Sequence, residues 1–233
     1  MRVQSLALAA ASAALLAPAT SSTAHPPKEP RTRHERSADG PVRAADLLAA
    51  VRDCTQVSEG RYRTDAGGPA SVRVCGTPDA VFWTADLDID CDGRPGRLCN
   101  RRTDPYFSPG TAFQTSDGRH LDAERLPFVV VPVPSDIWDY REHDVREGSV
   151  VALVHDGRVR YAVVGDTGPH EVIGEASYAA AEALGIPPDP RGGGTDAGVT
   201  YIVFKGSRIS PIEDHAAAAA EGQRLARRFV DGG

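Results

Sequence analysis

The apolar positions of this chain fall mostly into short runs rich in β-branched and aromatic residues, broken by clusters of glycine, proline and aspartate. Such runs predict strands over residues 71–75, 80–84, 128–133, 149–155, 158–164 and 200–205. His155-Asp156-Gly157 lies between two of them and reads as the turn of a hairpin. Helical spacing with alanine and leucine content occurs over residues 42–51, 177–184 and 212–230. Gly185 with Pro187-Pro188 stops the second helix, and residues 191–198 follow as a glycine-rich loop. No internal repeat is visible. Many short strands with a few inserted helices predict a mainly β domain with short helices, closed as a small barrel.

The amino terminus departs from this pattern. Met1-Arg2 precedes an uninterrupted apolar run from Leu6 to Ala17, and Ser22-Thr23-Ala24 then offers small residues for a signal peptidase. The run is too short for a spanning helix. Residues 1–24 are therefore expected to be a signal peptide, and the protein to be secreted with no membrane association after cleavage. Residues 25–41 carry almost no aliphatic side chain and read as a flexible linker. Residues 42–233 remain as a single domain large enough for a substantial core.

Export changes the meaning of the cysteines. Cys54, Cys75, Cys91 and Cys99 make an even set with no zinc-type spacing, so two disulfides are expected. The turns at Asp92-Gly93 and Pro95-Gly96 favour Cys91–Cys99, leaving Cys54–Cys75. The chain carries 32 acidic and 26 basic residues, a formal net charge of −6. No basic patch points to nucleic acid. A monomer is expected.

Residues 84–92 alternate in a different way. As a strand, this stretch sends Asp86, Asp88, Asp90 and Asp92 to one face and Leu87, Ile89 and Cys91 to the other. Four like charges on one face repel, at large cost if buried. Solvent, a metal ion or a cationic ligand has to offset that repulsion, and an exposed edge strand would supply the solvent. Asp88, Asp90, Asp92 and Gly93 also match the opening of a calcium loop. Its twelfth position, however, is Cys99 and not glutamate, and Pro95-Gly96 interrupts it, so no metal is expected. The third reading is a floor of subsites for protonated amino sugars, with Asp86, Asp88 and Asp90 binding substrate.

A second segment places two more acids near element ends. The apolar run 158–164 leads to Gly165-Asp166-Thr167-Gly168, where Gly165 allows an unusual backbone angle and Asp166 stands in the loop at the tip. Glu175 follows at the mouth of the second helix. Glycoside hydrolysis needs such a pair, one acid to protonate the leaving oxygen and one carboxylate to activate water or attack. The plainer reading is an Asx-turn at Asp166 and a helix-favouring Glu175. Trp83, Tyr106, Phe107, Trp138, Tyr140 and Tyr178 are candidates for stacking on sugar rings. Trp138, among the polar residues of a loop, is the best exposed platform. Trp83, Thr167 and His170 complete the candidate substrate contacts.

The combination of FWTADLDIDCDG, VVGDTGPHEVIGEAS and GVTYIVF resembles the chitosanases of glycoside hydrolase family 75 over most of the chain. The resemblance implies a six-stranded double-psi-like barrel and endo-hydrolysis of the β-1,4 links of chitosan. It also implies inversion at the anomeric centre, no cofactor, and Asp166 and Glu175 as the essential carboxylates. Glu175 is assigned as general acid and Asp166 as base, although a helix N-terminus would oppose a raised pKa at Glu175 and the opposite assignment stays open. A non-hydrolytic expansin-like module shares the barrel, and Glu175 argues against it. A hydrolase of another wall polymer is the third possibility, and the acidic strand argues against a neutral or anionic substrate.

Overall fold

In the computed structural model, which describes residues 41–232, three strands run beyond their expected apolar runs through polar residues. The expected signal peptide and all but the last residue of the expected linker lie outside the described residues. The elements run α1 (Ala44–Ala50), β1 (Cys75–Gly76), β2 (Ala80–Asp90), β3 (Phe128–Pro132), β4 (Val150–His155), β5 (Arg158–Gly168), β6 (Glu175–Ser177), α2 (Tyr178–Leu184), β7 (Thr195–Phe204) and α3 (His215–Asp231). The expected strand over 71–75 survives only as an isolated bridge at Val72 and the short β1. Asp156 and Gly157 both take positive φ and turn the chain between β4 and β5, as expected of the hairpin.

Six strands close on themselves in the order β2-β6-β3-β5-β4-β7, with β7 returning to β2 and β1 added along β2. The pairs β2–β6 and β3–β5 are parallel, and the other pairings around the barrel are antiparallel. This is the mainly β, closed six-stranded barrel with short helices that the sequence called for. Closure pairs the backbone of every barrel strand on both sides and leaves little open edge.

The strands bury both faces, which is why their apolar runs are continuous. Phe82, Phe128, Val130, Val163 and Ile202 pack with α1 and α3. Their sequence neighbours Trp83, Val129, Val131, Val164 and Tyr201 form a second cluster with α2 and with Trp138 and Tyr140. Ser177 locks the start of α2: its hydroxyl accepts from Ala180 N and Phe128 N and donates to Leu126 O. The disulfides are Cys54–Cys75 and Cys91–Cys99, the expected pairing. Among the described residues no helix is long and apolar enough to cross a membrane.

No regular strand or helix fills residues 91–127, between β2 and β3. This stretch is held by specific bonds instead. Glu124 accepts from Leu98 N and Cys99 N, Arg94 pairs with Asp122, and Gly93 N donates to Ser108 O. So fixed, it stands beside the ends of β2 and β5.

Candidate active site

A bulge in β5 aims the first carboxylate. Against β3, Val129 pairs with Val164 and Val130 with Asp166, so Gly165 is the extra residue. Without that insertion Asp166 would turn to the face of Val164, into the cluster around Trp83. A Cβ at Gly165 would lie 2.5 Å from Phe128 Cβ and 2.9 Å from Leu121 Cδ1. Close packing, not an unusual dihedral, is thus what requires glycine there. Asp166 accordingly sits inside β5, not in a loop at its tip.

The second carboxylate comes from β6. Val129 pairs antiparallel with Ala176, so the next position sets Glu175 opposite Val130. Asp166 and Glu175 therefore flank Val130 in one row across three strands. Their Cα atoms are two strand spacings apart, roughly 9.5 Å. Gly168, two residues beyond Asp166, makes room for the glutamate: a Cβ there would fall 2.7 Å from Glu175 Oε2.

Both groups line one open cavity of about 370 Å³, together with Asp90, Asp92, Asp104, Tyr106, Val130 and Thr167. Asp166 is only 6% exposed, and its Oδ1 accepts from Ala112 N and Thr167 N, each at 2.7 Å. Burial pushes its pKa up to about 6 against the pull of those two donors. Glu175 reaches about 7, through burial first and then the charges of Asp88, Asp92 and Asp166. Burial and Asp166 also hold Asp90 well above the ordinary carboxylate range. Glu175 belongs to β6, ahead of the Ser177 cap of α2, so a helix N-terminus does not govern it as the sequence had suggested.

The acidic strand divides among three environments. Asp90 and Asp92 line the cavity, and Asp92 Oδ1 accepts from Ser108 N at 2.7 Å. Asp88 stands beside Glu175 in the β2–β6 register, and Asp86 is buried further back, so neither lines the cavity. A loop through Asp88, Asp90 and Asp92 around one calcium does not form, because Asp88 and Asp90 remain in extended strand.

Both expected tryptophan contacts are corrected. Trp138 is 3% exposed, set edge-on to Trp83 with 6.2 Å between ring centroids, and is no exposed platform. Trp83 is 1% exposed and stacks on Tyr201 at 5.2 Å. An odd-numbered position on β2 faces away from Asp88 and Asp90, so Trp83 could not have joined them. Thr167 does line the cavity; His170 is exposed beside Glu171 and does not. Asp92, on the acidic face of the strand, also lines the cavity; the residues missed were Asp104 in the lining and the Ala112 amide. The aromatic on the cavity is Tyr106, 91% exposed. It is one of the aromatic residues the sequence offers for stacking, in the polar run Asp104-Pro105-Tyr106.

Two carboxyls with raised pKa values, a strand apart in an acidic open cavity, can carry out acid–base hydrolysis of a glycosidic bond. The chain matches the family described as fungal chitosanase of glycosyl hydrolase group 75 over residues 87–229. It belongs to that family. An endo-chitosanase of Aspergillus oryzae is 32% identical over 139 residues, 54% of this chain and 56% of the relative. One of Aspergillus fumigatus is 31% identical over 142 residues, 55% and 60% respectively. Endo-chitosanase C of Aspergillus oryzae is 32% identical over 133 residues, covering 55% of this chain and 32% of the relative. The chain thus spans between about a third and three fifths of the length of these relatives.

The raised pKa of Asp166 has a thermodynamic consequence. A carboxyl whose folded pKa exceeds its unfolded value favours folding fully below the unfolded pKa, and that contribution is lost as pH rises through the folded value. With Asp166 at about 6, its share is lost between roughly pH 4 and pH 7. The melting temperature should therefore fall over that window by differential scanning calorimetry, and Asp166→Asn should flatten the fall. An unchanged slope in the variant would contradict the burial assigned to this carboxyl.

Proposed function

We propose that the protein is a secreted endo-chitosanase that cleaves β-1,4 links between glucosamine residues with inversion, using Glu175 as acid and Asp166 as base. The observation that carries this reading is the Asp166–Val130–Glu175 row in a member of the family. Inverting enzymes place their carboxyls about 6.5–9.5 Å apart so that water fits on the far side of the sugar; here the two acids stand on separate strands with Val130 between them, which keeps their side chains from sharing one position.

The surroundings of each group support its role. Asp166 accepts two backbone N–H bonds, which favour the ionised form that a base needs. Glu175 is half-buried among like charges, which favours the protonated form that an acid needs. In the reaction the Glu175 carboxyl gives its proton to the glycosidic oxygen as the C1–O bond breaks. Water attacks C1 from the opposite face and gives a proton to Asp166. Proton exchange with solvent then restores both groups.

Chitosan fits the charge of the cavity. Asp92 and Asp104 offer a negative potential to protonated amines, and Tyr106 offers an exposed ring to a pyranose face. The leader-like amino terminus and the two disulfides support export.

A reducing-end assay on chitosan, chitin and cellulose tests the substrate class, with turnover expected on chitosan and little on the other two. Proton NMR of the first products should show α-anomers from the β-linked chain; initial β-anomers would reject inversion. Tyr106→Ala should raise KM several-fold with kcat within about threefold, the pattern of lost uniform binding. An unchanged KM would remove Tyr106 from the substrate path.

A further inference from the structure

Behind the cavity stands a second group of carboxylates, of which only Asp88 bears on the proposed reaction, through its charge on Glu175. Asp65, Asp86 and Asp88 each offer a carboxylate oxygen, and these oxygens lie within 4.8 Å of one another. The fold brings them together from separate stretches of chain. Arg63 bridges to Val172, with Arg63 N donating to Glu171 O and Ile173 N to Arg63 O, which fixes the Asp65 loop beside residues 172–174. Asp88 N in turn donates to Gly174 O at 2.8 Å, joining β2 to the same place.

Asp86 sets this group apart from a solvated acidic patch. It is 4% exposed, and its Oδ1 is buried without a hydrogen-bond partner. A Cβ at Gly174 would meet that oxygen at 1.9 Å, so the carboxylate is packed against backbone that only glycine allows there. Among the described residues, no Lys, Arg or His forms an ion pair with any of the three. A buried, unpartnered carboxylate oxygen beside two further carboxylates is strongly unfavourable unless a cation or a proton joins it.

We propose that Asp65, Asp86 and Asp88 bind a divalent cation of the calcium type, separate from the cavity of Asp166 and Glu175. All-oxygen carboxylate donors select a hard ion. Three carboxylates binding through one or both oxygens leave the remaining positions to water, because Asp65 and Asp88 are exposed. The ion would pin the Asp65 loop to β2 and to Gly174, immediately before the proposed general acid. Such a site is independent of which polysaccharide the cavity takes.

The test is the melting temperature of the full chain after chelation, with and without about 10 mM calcium, a concentration above the roughly 1 mM limit of weak extracellular calcium sites. Calcium should raise it by roughly 3–6 °C, and Asp65→Asn with Asp88→Asn, both exposed positions, should abolish the rise. Asp92→Asn, in the cavity, should retain it. No rise in the wild type would overturn the site, as would a rise that survives the Asp65/Asp88 change. A rise lost only in Asp92→Asn would move the ion to the cavity and equally overturn the assignment. If calcium has no effect but KM for chitosan increases in Asp65→Asn, the group binds a sugar ammonium and the metal proposal fails. Activity on chitosan is read separately, so a failure of the enzymatic reading leaves these outcomes interpretable.

Discussion

Asp166→Asn and Glu175→Gln should each lower kcat on soluble chitosan by roughly 10²–10⁴-fold while leaving the circular dichroism spectrum unchanged. Both changes are near-isosteric. The amide replacing Asp166 would keep an oxygen for the N–H groups of Ala112 and Thr167 but could not take a proton from water. The amide replacing Glu175 would still fit the gap beside Gly168 but could not give a proton to the leaving oxygen. The two groups act in one step, so the double variant should cost little more than either single variant. Near-wild-type turnover in either would place the chemistry elsewhere.

Gly168→Ala should reduce kcat by about 100-fold with KM nearly constant, because it displaces a reacting group without removing it. The added Cβ would lie 2.7 Å from Glu175 Oε2 and 2.9 Å from Val130 Cγ1. Val130 is packed in the core, so the end of the glutamate has to give way. A shift on the order of 1 Å is enough for a loss of this size. Gly165→Ala makes an instructive contrast: its Cβ would press on Phe128 and Leu121, so it should lower the melting temperature more than it changes the chemistry of the molecules still folded. Kinetics and calorimetry on the two variants separate these outcomes. A Gly168→Ala enzyme with unaltered kcat would show that the Glu175 carboxyl is not confined as described.

Much of the barrel could be read from the chain because its strands are buried on both faces and so appear as continuous apolar runs. The ends were harder. β2 and β5 run on through Asp90 and Gly168, past the last apolar residues, because pairing with β6 and β3 holds polar residues in extended form. Propensity does not register that pairing. The two chief acids could be singled out, but the bulge that gives Asp166 its direction depends on the contact of Gly165 with Phe128, far away in sequence. Trp138 misled because its neighbours Asp136 and Asp139 are polar, whereas its ring lies against Trp83 and Tyr140. Parity on β2 would have excluded Trp83. Nothing local marks Asp65 as a neighbour of Asp86; the Arg63–Val172 bridge and the Asp88–Gly174 hydrogen bond bring them together.

The strand β2 is laid down early in the chain, yet its barrel partners are β6 and β7, which lie far downstream. The loops that must close before those pairs form are long, and their entropy is spent before any contact rewards it. Asp90 and Glu175 can meet only when β2 has paired with β6, so the cavity cannot form from any local piece of the chain. A chain ending at β5 would carry Asp166 without Glu175. The proposed chemistry would belong to the finished barrel alone, so activity and global folding should be lost as one event.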